Sequence, residues 1–156
     1  SAGDTINFKR GSSWSGNLAI KSSGASGNPI TFKAYGTGNA PVVSYPNVQW
    51  GHAIDIAGSY VVVQDFLARD AVEAGIFIKP GATNVVVQNN EVTASGTGVY
   101  VEGNSALVKG NYLHDLTMIV NTQGGDDDYG AAGVRISNAS GVEVSYHRIV
   151  NGGAAS

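Results

Sequence analysis

The 156-residue chain contains no cysteine, which excludes disulfides and thiolate metal centres and leaves the compartment open. Charged residues are only 13% of it, and the nine Lys and Arg are scattered in a chain of formal net charge -3. Neutralising phosphates takes clustered cations, so nucleic acid is not an expected partner. Apolar runs last only a few residues, far short of the roughly 18 that a membrane span requires, and no membrane insertion is expected. Ser1-Ala2-Gly3-Asp4 has neither the basic start nor the apolar stretch of a signal peptide: either the protein is not exported or a signal has been removed. Helical periodicity is also missing.

What the chain has in quantity is glycine, 22 residues of 156. With so little charge it is neither a disordered polyelectrolyte nor a helical protein, and short strands must alternate with tight turns. The length sets a single domain, residues 1–156, able to bury roughly two-thirds of its unfolded surface.

The second half repeats. Gly75-Ile76-Phe77-Ile78, Gly98-Val99-Tyr100-Val101 and Gly133-Val134-Arg135-Ile136 each precede a second apolar phrase: Val85-Val86-Val87-Gln88-Asn89-Asn90, Ala106-Leu107-Val108-Lys109-Gly110-Asn111 and Val142-Glu143-Val144-Ser145-Tyr146-His147. Val61-Val62-Val63-Gln64-Asp65-Phe66 comes before them. In register, positions 66, 90, 111 and 147 coincide, at steps of 24, 21 and 36. The long step holds an inserted loop, about 115–131. A period in the low twenties built of strand-like phrases marks a β-solenoid.

Each repeat holds three short strands. Period-two alternation sends Val99, Val101, Ala106, Val108 and Leu113 inward and Tyr100, Leu107, Lys109, Tyr112 and His114 outward. The same assignment is expected to bury Ile76, Ile78, Val85, Val87, Val92, Val134, Ile136, Val142, Val144 and Ile149. Asn90 and Asn111 fall at the bend between the second and third strands, where asparagine tolerates left-handed backbone and its amide can bond neighbouring coils. His147 extends this ladder and Phe66 interrupts it. Earlier strands are expected at Thr5–Phe8, Leu18–Ile20, Pro29–Phe32, Pro41–Val43 and Ala53–Ile56, giving about five coils and a stack about 25 Å long.

The order Ala2-Gly3-Asp4-Thr5-Ile6, Arg10-Gly11, Trp14, Gly27-Asn28-Pro29-Ile30-Thr31-Phe32, Ala34-Tyr35-Gly36 and Pro41-Val42-Val43 resembles the opening coils of secreted right-handed parallel β-helix proteins, including the chondroitinase-B-like and alginate-lyase-like polysaccharide lyases. The later coils resemble the pectate-lyase-like repeat. This resemblance implies an all-β right-handed parallel β-helix, an extracellular location and a polysaccharide partner; the same repeat also serves hydrolases, epimerases and adhesins. The inserted loop resembles a segment of bacterial β-helix proteins of unassigned activity. The spaced Lys and Arg pair of the alginate-lyase-like enzymes has no match here.

In the lyase-like helices the sugar groove runs along the first sheet, whose outward positions here are Asp55, Phe77, Tyr100 and Arg135. Two aromatics one coil apart suit pyranose rings, and an Arg suits a carboxylate or sulfate; equally, cross-coil aromatic pairs stabilise a sheet. The loop should lie beside Tyr100 and Arg135, with Asp126-Asp127-Asp128 as candidate Ca²⁺ ligands or simply a solvated acidic run. For removal of a proton beside a uronate carboxyl, Arg135 or Ca²⁺ is the neutralising group, and His114 or Tyr129 the base or acid. Hydrolysis would instead pair Asp115 or Asp70 with a loop aspartate. Lys109, Gln88 and Gln64 line a different sheet. The alternatives are a non-catalytic carbohydrate-binding module and a structural module. Because Gly152-Gly153-Ala154-Ala155-Ser156 offers no helix or charged strand to cover an open stack, the latter expects end-to-end association or continuation in a longer chain.

Overall fold

The computed structural model describes residues 1–119 and 129–152, and all of its named elements are strands. They build a right-handed parallel β-helix with three faces. The first sheet stacks Leu18–Ile20, His52–Ile56, Ala74–Ile78, Thr97–Val101 and Ala132–Ile136. The second stacks Thr5–Lys9, Ile30–Tyr35, Val61–Gln64, Val86–Gln88, Leu107–Lys109 and Glu143–Ser145, and the third Ser13–Ser15, Val42–Ser44, Leu67–Arg69, Glu91–Thr93, Tyr112–Leu116 and Arg148–Gly152. Two faces therefore carry six rungs and one carries five, where the sequence led us to expect about five coils. The uncounted rung includes Ser13–Ser15, whose Ser-Trp-Ser is exposed throughout and has no apolar alternation to betray it.

Register follows the repeat. Val63, Val87, Val108 and Val144 pair in turn across the second sheet, which reproduces the steps of 24, 21 and 36. The inserted loop leaves after Leu116; its described ends, Met118–Ile119 and Tyr129–Gly130, pair antiparallel.

Three columns of left-handed residues turn the corners: Tyr60, Asn84 and Ser105 before the second sheet, Asp65, Asn89 and Gly110 after it, and Asp70, Ala94 and Asp115 after the third. One residue with positive φ reverses the chain sharply enough for a three-residue strand to follow. The left-handed residue at the second bend is thus the one preceding each ladder residue, Asn89 and Gly110 rather than Asn90 and Asn111. This leaves the ladder amides pointing inward. Asn90 Oδ1 accepts from Phe66 N at 3.0 Å, Asn111 Oδ1 from Asn90 N at 2.9 Å, and His147 Nδ1 from Asn111 N at 3.2 Å. The donor half repeats too: Asn90 Nδ2 to Val63 O, Asn111 Nδ2 to Val87 O, and His147 Nε2 to Val108 O.

The core is a continuous column of Ile, Val and Ala from the three inner faces, including Ile54, Ile76, Val63, Val87, Val92 and Leu113. Phe66 is buried in the ladder column and packs edge-on against Phe8 at 4.9 Å. Five residues depart from the expected burial, of which Val134 and Val142 are partly buried. Ile136, Val144 and Ile149 are 41–51% exposed because they belong to the last coil, with no described rung stacked on their far side.

The glycine leading each first-sheet phrase has a steric cause. A Cβ on Gly75 would lie 2.2 Å from Val92 Cγ1, one on Gly98 2.5 Å from the Gly133 carbonyl oxygen and 3.0 Å from Leu113 Cδ1, and one on Gly133 2.6 Å from Ile149 Cδ1. In the coil whose corresponding third-sheet residue is the small Ala68, the leading residue is Ala53. These positions face the core together with the next residue, so the alternation of the strand slips by one. Position 52 consequently points outward with position 55.

Candidate functional site

Asp55, Phe77, Tyr100 and Arg135 are register partners across four successive rungs of the first sheet. The Phe77 and Tyr100 rings stack at 4.8 Å, His52 lies against Phe77 at 4.4 Å, and the Arg135 guanidinium sits 4.6 Å over Tyr100. The rings of Phe77 and Tyr100 thus turn their faces to each other along the helix axis, and Tyr100 is buried. An exposed aromatic beside the stripe is Trp50, which stacks parallel to Tyr129 at 6.1 Å. Tyr129 in turn lies 5.2 Å from Arg135. The returning end of the inserted loop therefore stands beside the stripe, as its point of insertion led us to expect.

His52 sits between two carboxylates, Nδ1 2.9 Å from Asp55 Oδ1 and Nε2 2.7 Å from Glu73 Oε2, with all three side chains mostly shielded from solvent. Asn17 Nδ2 donates to Asp55 Oδ2 at 3.0 Å and to His52 O at 2.8 Å, tying the cluster to the coil below. Burial lowers the His52 pKa and is the largest single influence, but the contacts with and charges of Asp55 and Glu73 together outweigh it and raise it above the ordinary value.

The two site tyrosines are held protonated. Burial first, then the hydrogen bond from the Tyr100 hydroxyl to Glu102, lift the Tyr100 pKa against the pull of Arg135. Burial and the charge of Glu73 do the same for Tyr129, again against Arg135. Both phenols are proton donors at neutral pH. Among the described residues Arg135 makes no ion pair, so its charge is held on aromatic faces and free to meet an incoming anion.

Arg135 and Tyr129 are brought together, whereas His114 stands on the third sheet. Its Nε2 is 2.7 Å from Glu91, its Nδ1 2.7 Å from Asp115, and its ring stacks on Tyr112 at 4.2 Å. Burial again lowers its pKa most, and the contacts with Asp115 and Glu91 outweigh that and raise it. Asp70 accepts from Ser44 and pairs with Arg69 on the rim of a groove of about 450 Å³ that also meets Asn47, Thr117 and Met118. Asp126, Asp127 and Asp128 lie outside the described residues. Among the described residues no group of three or more His, Asp or Glu is placed to hold a metal. Gln64, Gln88 and Lys109 share a column on the second sheet, away from the stripe.

Sequence reasoning missed Trp50, His52, Glu73 and Glu102. His52 and Asp55 are three residues apart, and strict period-two reading puts such a pair on opposite faces. The glycine column was the available signal, since Ala53 occupies the place of Gly75, Gly98 and Gly133.

Residues 52–155 match the family model of the right-handed β-helix region. No protein of curated function matches the chain. Among solved structures the fold is similar to an alginate lyase from Paenibacillus sp. str. FPU-7, with a TM-score of 0.70 and 18% identity over 96% of this chain and 60% of that one. It is also similar to a GH136 lacto-N-biosidase from Eubacterium ramulus (TM-score 0.65, 11% identity, 94% of this chain and 35% of that one). A rhamnogalacturonan lyase follows with a TM-score of 0.61 at 14% identity, covering 97% and 49%. At these identities the likeness is one of fold, and the chain spans 35–60% of the length of these proteins.

Proposed function

Because the chain belongs to the right-handed β-helix family, we propose that the outer face of its first sheet is a groove for an acidic polysaccharide, with lyase-type cleavage as its chemistry. The observation that carries this reading is Arg135: a guanidinium without an ion pair among the described residues, seated on Tyr100 and Tyr129 beside two protonated phenols. A uronate carboxylate docked on Arg135 gives the charge neutralisation that lowers the cost of removing the neighbouring carbon-bound proton. A base takes that proton, its electron pair forms the new carbon–carbon double bond, and the glycosidic carbon–oxygen bond breaks. Tyr129 supplies the proton to the departing oxygen; a raised phenol pKa suits an acid and not a base. The carboxylate whose charge Tyr129 feels is Glu73, which makes Glu73 the base candidate on this face. Trp50, exposed and parallel to Tyr129, is the platform for a sugar ring.

Ca²⁺ enters this reading through Asp126, Asp127 and Asp128, oxygen donors of the kind the ion prefers. A protein acting on such a polymer works outside the cell. The mutual stacking of Phe77 and Tyr100 favours a second reading, a structural module, since those rings give their faces to the fold and not to a ligand.

The test is a panel of uronate-containing and neutral polysaccharides, with Ca²⁺ and then with chelator, following unsaturated-product absorbance, reducing ends and retardation in affinity gels. Product from a uronate polymer is expected, lost in Arg135→Ala while the melting temperature stays within a few degrees. Retardation without product establishes a binding module. No response to any polymer removes the carbohydrate reading, and loss of activity with chelator directs attention to Asp126–Asp128.

A further inference from the structure

His52 presents both ring nitrogens to carboxylate oxygens, Asp55 on one side and Glu73 on the other. A neutral imidazole has one N–H and one lone pair, so it would set a lone pair against one of two anions; only the imidazolium satisfies both contacts. The Asp55 contact is itself more ionic than directional, because Oδ1 is a buried oxygen without an aligned hydrogen bond even at 2.9 Å. The groups facing His52 are Asp55 on its own strand, Glu73 entering the next rung, the uncharged Phe77 ring on that rung, and Asn17 on the rung below, which binds the His52 carbonyl and Asp55. Tyr129 and Arg135 are the next charged or titratable neighbours, reached through Glu73. No cation other than the imidazolium contacts Asp55 or Glu73 among the described residues.

We propose that His52 is a positioning residue for this face: as imidazolium it locks Asp55 and Glu73 across two coils, holds the Glu73 carboxylate in place on the face that carries Tyr129, and so sets the alkaline limit of the site. The proposal rests on the first-sheet face being the working groove. Below the His52 titration the clamp is closed. When the proton leaves, one carboxylate loses its donor, two partly buried anions face each other, and Glu73 is freed from the position that His52 gave it.

The chain has three histidines, so His114→Gln and His147→Asn leave one imidazole to be assigned to His52 by long-range ¹H–¹⁵N spectra. Both of its nitrogens are expected to stay protonated where an ordinary histidine, with a pKa near 6.5, has titrated. Asp55→Asn and Glu73→Gln should each lower its midpoint by roughly one pH unit or more. A neutral single-tautomer His52 at about pH 6, or an unmoved midpoint in both variants, overturns the clamp. On the polymer found by the panel, Glu73→Gln should cost roughly 10²-fold or more in turnover. His52→Gln should remove the alkaline limb of the pH profile, with less effect on KM than on kcat. An alkaline limb unchanged in His52→Gln overturns the positioning role even if the clamp is real. If no polymer is cleaved or retained, the functional reading falls, and the spectra still decide the clamp.

Discussion

Asn90 serves three partners where water cannot reach: it accepts from Phe66 N, and its amide donates to Val63 O and towards Asn111 Oδ1. Asn90→Ala would strand a buried N–H and a buried C=O at once, a cost of roughly 2–5 kcal/mol. Urea unfolding should show it as a lower midpoint at unchanged slope; a shift under about 1 kcal/mol would mean that water replaces the amide. His147 repeats the same geometry with different atoms, Nδ1 accepting and Nε2–H donating, so His147→Asn should unfold within about 1 kcal/mol of the parent and His147→Leu should not. The ladder was legible because backbone demand recurs every coil and leaves its mark at fixed spacing. His114 makes a different prediction. Its pKa is raised against the opposing effect of burial, so the stability it adds is fully present below its unfolded value, about 6.5, and is lost as pH rises through the folded value. His114→Gln should therefore be more destabilising at about pH 5.5 than at about pH 8.5, and an equal penalty at both would show that its contacts are made by the neutral ring.

At the scale of the strand, the phrase Gly-apolar-outward-apolar carries two messages, of which alternation conveys only one. Alternation correctly placed Asp55, Phe77, Tyr100 and Arg135 in one outward column, because these sit in the regular part of each strand. The small leading residue records a packing constraint from its surroundings, chiefly the side chain at the same level of the third sheet, and where Ala53 and Ile54 both face the core His52 turns to the groove beside Asp55. A contact between strands some sixteen residues apart leaves no local period, which is why the carboxylate–imidazole cluster was invisible while the aromatic stripe was not. Gly75→Ala should destabilise by about 1–3 kcal/mol through overlap with Val92. Combining it with Val92→Ala recreates the Ala53 and Ala68 arrangement one coil up. The double variant should thus be more stable than the sum of the two single changes by at least about 0.5 kcal/mol in a thermodynamic cycle. Additivity within error would show that the glycine is required by backbone conformation and not by its neighbour.

For the whole molecule, stability accumulates coil by coil, since each rung touches mainly the rungs above and below it. The repeat made the architecture legible even though its strands are as short as three residues, because stacking identical phrases is the only way such strands bury an apolar face. The groove chemistry was less legible, because it is assembled from a turn (Trp50), a bent strand (His52), a strand entry (Glu73) and a loop return (Tyr129) that share no common spacing. Burial also divides the stack: inward residues of the central rungs such as Ile54, Ile76, Val87 and Val99 are fully buried, whereas their counterparts Ile136, Val144 and Ile149 in the last coil are about half exposed. Each rung there has a partner on one side only, so it gains one interface where a central rung gains two. Native-state hydrogen exchange should therefore be graded, slowest for the amides of Phe66, Asn90 and Val87 and fastest in Glu143–Ser145 and Arg148–Gly152, with a spread of several kcal/mol in opening free energy. Raising the protein concentration tests what covers the last coil. If end-to-end stacking occurs, protection of Ile136, Val144 and Ile149 should rise together with the sedimentation coefficient, because a new rung would complete all three sheets at once. Uniform protection along the stack would instead mean that the helix opens as one cooperative unit and that the exposed coil is no weaker than its centre.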